Sequence, residues 1–169
     1  MEKIIRNYLE IKSINQLLET KKPNKNYFIK NVFPSDFNLN KFFYKQIGNN
    51  HQWIDKLAWT DKNWIEYVSN PNLFTYILKD NEEFVGFFEL IYHKKKLEIE
   101  IAYFGILKEY FGKKLGGYML TEAIKKSFTY NIQRVWVHTC SLDHKYALKN
   151  YLSRGMKIYN IETLNIKSA

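Results

Sequence analysis

Behind the run LEIEIAYFGIL (97–107), the chain reads KEYFGKKLGG and then turns into the apolar spacing of a helix. Backbone N–H groups at a helix start have no internal partner, and an anion can take them. Gly112, Gly116 and Gly117 would let that backbone come close to phosphate oxygens, although the letters match neither the P-loop nor the dinucleotide pattern. The preceding run carries Glu98 and Glu100 two residues apart, which on a strand places both carboxylates on one face. RVWVHTC (134–140) adds His138, whose imidazole titrates near neutrality, and Cys140, the lone cysteine. In HQWIDKLAW (51–59), Trp53 and Trp59 flank Asp55; an aromatic wall with one carboxylate suits a cationic amine, and aromatics beneath a loop equally suit packing.

The elements that must hold these residues follow from period and punctuation. Residues 2–20 space Ile4, Ile5, Tyr8, Leu9, Ile14, Leu17 and Leu18 like a helix, so 1–22 is expected to be a helical extension before a single domain at 23–169. YFIKNVF (27–33) reads as a strand. A helix capped by Ser35 or Asp36 runs to about Ile47, and a second starts behind Thr60. LFTYILKD and EFVGFFELIYH around Asn81 make a hairpin. A long strand, the glycine loop, a helix, the strand 134–140, a short helix and a last strand follow. That order predicts an α/β (α+β) fold: a central mixed sheet flanked by helices.

Composition narrows the function classes. The 169 residues suit one domain, and no stretch has the run of about 18 apolar residues that a membrane span needs. The amino terminus lacks the pattern of a secretory signal, and one cysteine permits no internal disulfide; both point to the cytoplasm. The net charge of +9 comes from lysines scattered through nearly every segment with three arginines, which argues against a nucleic-acid stripe and favours small anions.

From about 73 to 158 the chain resembles the GNAT superfamily of acetyl-CoA-dependent N-acetyltransferases. FGKKLG (111–116) occupies the place of that family's loop of Gln or Arg, any two, Gly, any one, Gly or Ala. DHKYALKNYLSRGM matches its downstream pattern with Ala147, Tyr151, Gly155 and Met156. Three positions depart: Phe111 stands for the polar residue, Lys114 for the first glycine and His144 for an asparagine. The resemblance implies a mostly antiparallel sheet and transfer of acetyl from acetyl-CoA to a primary amine of a small molecule or peptide, without a covalent intermediate. It implies Tyr151 as the acid at the thioester sulfur and Glu100 as the base, with Glu98 and His138 as alternatives. Cofactor contacts would come from Phe104, Ile106, Gly112, Lys113, Lys114, Gly116 and Gly117, and acceptor contacts from Trp53, Asp55 and Trp59. No metal is implied, and Asp143 and His144 read as caps of the short helix. A non-catalytic coenzyme A or nucleotide-binding module on the same fold is the alternative, and the amino-terminal segment offers a homodimer surface.

Overall fold

In the computed structural model, which describes residues 2–166, the chain runs β1 (Glu2–Ile11), β2 (Tyr27–Asn31), α1 (Phe37–Gly48), α2 (Asp61–Val68), β3 (Leu73–Asp80), β4 (Glu83–His93), β5 (Glu98–Ile106), α3 (Leu115–Ser127), β6 (Arg134–Cys140), α4 (Ala147–Ser153) and β7 (Lys157–Ile166). The strands form one sheet in the order β2-β3-β4-β5-β6-β1-β7, antiparallel except where β5 meets β6. Asp36 caps α1 through the Asn38 N–H, and Thr60 and Asn63 close a capping box on α2.

The amino-terminal segment departs from the expected helix. Residues 2–11 are a strand inside the sheet, paired with β6 on one side and β7 on the other. Its apolar residues serve two faces: Leu9 and Ile11 enter the core that contains Leu120 and Ile124 of α3, whereas Ile4 is buried in the wall of a cavity. Burial on both faces erases the strict alternation of a half-buried strand, and the four-residue spacing of Ile4 with Tyr8 and of Ile5 with Leu9 is coincidental. The chain then folds back over α3 and α4, where the Thr20 N–H donates to Thr121 Oγ1 at 2.9 Å and the Leu18 N–H to the Arg154 carbonyl at 3.0 Å. It is therefore part of the fold and not a helix set before it.

The central strands are covered on both sides. In β4, Phe88 and Leu90 face the α3 side, while Phe87 stacks on Phe43 of α1 with centroids 5.0 Å apart. Such two-sided burial is why Val85–Leu90 reads as an almost unbroken apolar run. Glu89 is the exception.

Two features shape the middle of the sheet. β5 pairs with β6 only at Glu98↔Arg134, Ile99↔Val135 and Glu100↔Trp136. Directly beyond, Ala102 is an extra residue against β4, between the pairs Leu90↔Ile101 and Glu89↔Tyr103. A bulge bends its strand, and here the strands part. Among the described residues, no helix is long and apolar enough to cross a membrane.

Candidate active site

The parting of β5 and β6 opens a cavity of about 1290 Å³. Ile101–Ile106 form one wall, Val137, His138 and Cys140 the other, and the glycine loop and α4 close its far end. Past Glu100, the β5 edge that faces β6 has no strand partner among the described residues, so Phe104 and Ile106 present main-chain groups to the gap. Their side chains pack on the α3 side, where the Phe104 ring lies 6.1 Å from that of Tyr151.

The glycine loop turns in two left-handed steps. Gly112 has φ +78° and Lys114, immediately before α3, has φ +60° and ψ 23°. Lys114 thus holds the conformation for which glycine is favoured, and its backbone N–H is retained. The first turn of α3 has no side-chain cap, so the N–H groups beginning at Leu115 are open to a ligand. Arg154, which nothing in the sequence marked out, packs on Gly117 and donates to Thr20 Oγ1, yet its buried Nε has no acceptor among the described residues. An uncapped helix start beside an orphaned guanidinium N–H fits a phosphate-bearing ligand such as coenzyme A.

Glu100 and Tyr151 face the same cavity. Glu100 belongs to the last parallel pair before the gap, and His93 Nε2 lies 3.1 Å from its Oε2. Tyr151 is buried; burial, then Asp143, pushes its phenol far above the ordinary range, so its proton stays on. Glu98 shares the strand face but is buried away from the cavity, accepting from Arg134 Nε at 2.7 Å. His138 is accessible from the cavity; the surrounding desolvation and then Arg6 hold its imidazole below the usual value. Cys140 is partly exposed on the cavity wall. Asp143 accepts from Thr139 Oγ1 and the Cys140 N–H, and His144 Nδ1 from the Tyr146 N–H, so both serve the turn into α4. Among the described residues, no group of three or more His, Cys, Asp or Glu side chains is arranged to hold a metal.

The α1–α2 loop brings Trp53 and Asp55 to the cavity, whereas Trp59 stands behind them against Trp64 and Tyr67. Asp55 is already engaged: Tyr44 Oη donates to Oδ1 at 2.7 Å, and Lys56 Nζ and Tyr103 Oη donate to Oδ2, each at 2.9 Å. Burial raises its pKa, but these hydrogen bonds, Lys56 first, outweigh it and hold the carboxyl below its ordinary value. Sequence reading missed two buried charged residues beside this network. Glu89 is 1% exposed, accepting from Tyr67 Oη at 2.5 Å and Asn40 Nδ2 at 3.1 Å, and burial pushes its carboxyl up. Lys56 is buried, with its ammonium between the rings of Trp59 in this loop and Tyr67 of α2.

Residues 36–156 match the model of the acetyltransferase (GNAT) family. No curated protein matches. Among solved structures, the chain resembles a conserved protein of unknown function from Staphylococcus epidermidis (TM-score 0.62, 16% identity, 96% of this chain and 60% of that one). It also resembles a GCN5-related N-acetyltransferase from Sphaerobacter thermophilus (TM-score 0.69, 12% identity, 95% and 50%). A third is the spermidine N-acetyltransferase from Vibrio cholerae, in complex with CoA and spermine (TM-score 0.63, 16% identity, 78% and 81%). The chain thus spans between half and two thirds of the first two, and at these identities the likeness speaks for the fold.

Proposed function

The chain belongs to the acetyltransferase (GNAT) family, and from that premise we propose that it is an N-acetyltransferase carrying an acetyl group directly from acetyl-CoA to a primary amine of a small molecule or peptide. The observation that carries this reading is the parting of β5 and β6 beyond Glu100↔Trp136, beside an uncapped helix start, with Glu100 and Tyr151 facing one cavity.

Bound acetyl-CoA supplies an acetyl group activated as a thioester. In this proposal the main chain of Phe104 and Ile106 holds the pantetheine arm as an added strand would be held. The N–H groups of Gly112, Lys113, Lys114, Gly116 and Gly117 receive the pyrophosphate, with the two lysine ammoniums and Arg154 adding charge. Glu100, oriented by His93, takes the proton of the attacking amine, and Tyr151 holds a proton for the departing sulfur. His138 is the alternative base; Glu98 is committed to Arg134.

The test is release of free thiol from acetyl-CoA in the presence of a polyamine, an aminoglycoside and a lysine-bearing peptide. Amine-dependent release that falls about 100-fold or more in Tyr151→Phe is expected, the usual scale of a general acid. Cofactor binding without amine-dependent release from any acceptor would leave a coenzyme A-binding module.

A further inference from the structure

Lys56 lies in the α1–α2 loop, 8% exposed, and its Nζ is surrounded as a recognised ligand would be. It donates to Asp55 Oδ2 at 2.9 Å and to Tyr103 Oη at 2.8 Å. The ring centroids of Trp59, Tyr103 and Tyr67 lie 4.6, 4.8 and 5.1 Å away. A lysine that only pins a loop needs one carboxylate; rings on several sides with a carboxylate and a phenol oxygen make a site for an alkylammonium. Lys56 itself lines the large cavity, so the cage opens into it.

We propose that this cage is a binding site for the primary ammonium group of a diffusible ligand, and that Lys56 is its tethered occupant, displaced when that ligand binds. The proposal deepens the acceptor half of the acetyltransferase reading, but the site needs neither cofactor nor chemistry.

The cage can survive the exchange. Its walls are held independently of the lysine: Tyr44 Oη donates to Asp55 Oδ1, Tyr103 Oη to Asp55 Oδ2 and Tyr67 Oη to the buried Glu89. The Asp55 side chain is 60% exposed, so the ion pair is not sealed from solvent. With Lys56 withdrawn on its flexible four-carbon stem, a carboxylate and aromatic faces remain, complementary to a cation. A tethered occupant competes at an effective concentration on the order of millimolar. A simple amine therefore displaces it only well above millimolar concentration, and a ligand that binds more tightly must gain contacts elsewhere in the cavity.

The probe is n-butylammonium, the lysine side chain without its backbone, titrated by calorimetry into the protein without acetyl-CoA. Lys56→Ala should bind it at least about tenfold more tightly than wild type, the scale of one desolvated cation–π contact. Lys56→Met, which fills the cage without charge, should not. No gain in a folded Lys56→Ala, or an equal gain in Lys56→Met, would overturn the proposal. Should Lys56→Ala fail to fold, wild type labelled with ¹³C-lysine decides. The ring-shifted Lys56 ε-CH₂ signal should move toward its free position as n-butylammonium rises. A signal unmoved by excess amine would rule out displacement. Either result leaves acetyl-CoA binding, measured separately, as the test of the enzyme reading.

Discussion

Phe111 and His144 meet edge to face, with ring centroids 4.9 Å apart. One belongs to the glycine loop and the other to the turn after β6, and both stand where the family pattern has a polar residue. Two departures that touch each other form one alternative contact across the end of the cavity. A double-mutant cycle with Phe111→Ala and His144→Ala should give a coupling of about 0.5–1.5 kcal/mol, the range of aromatic pairs. Additive losses in urea denaturation would show that the rings are merely adjacent.

The left-handed Lys114 carries a steric cost of about 1–2 kcal/mol, which glycine removes while adding about 0.4–1 kcal/mol of unfolded-state entropy. Lys114→Gly should therefore gain on the order of 0.5–1 kcal/mol, or about 1–4 °C in thermal midpoint for a chain of this size. Lys114→Ala, which keeps the strain, should show no such rise.

Glu89 sets a pH dependence of known sign. Burial raises its folded-state pKa above the ordinary 4.5, so folding favours the protonated carboxyl. Its contribution to stability is complete below pH 4.5 and is lost as pH rises toward the folded-state value. Urea midpoints from pH 4 to 8 should decline more steeply for wild type than for Glu89→Gln. Parallel profiles would mean that Asn40 and Tyr67 fully compensate the charge.

Gly155, at φ +95°, ends α4 against the carbonyl oxygen of Gln16, where a Cβ has no room. Gly155→Ala should cost about 1–3 kcal/mol through left-handed strain and displacement of the segment that precedes β2. Thermal unfolding measures it directly, and an unchanged midpoint would contradict the close docking of that segment on α4.

What the letters revealed and concealed has physical causes. The hairpin around Asn81, the strand carrying Glu100 and the capped helices were legible because period and turn chemistry are local. β1 was not, because its pairing partners β6 and β7 lie at the other end of the chain and its apolar residues are buried on both faces of the sheet. The Lys56 cage was hidden for the same reason: Tyr103 lies 47 residues away, and a lysine among many carries no signal of its burial. Glu89 left a trace, a single charge inside FVGFFELI, which a buried strand tolerates only with partners. Arg154 left none. Glu100 and Tyr151 were legible through the family pattern; the cavity they face depends on the bulge at Ala102, which no local pattern announced.

The most direct measurement is calorimetric titration of the purified protein with acetyl-CoA and with free coenzyme A, in parallel for wild type and Lys114→Gly. Saturable binding in the micromolar range is expected for both proteins, because the uncapped α3 start and the open β5 edge are common to them. Absence of binding by either protein would contradict the acetyl-CoA site and with it the proposed transfer.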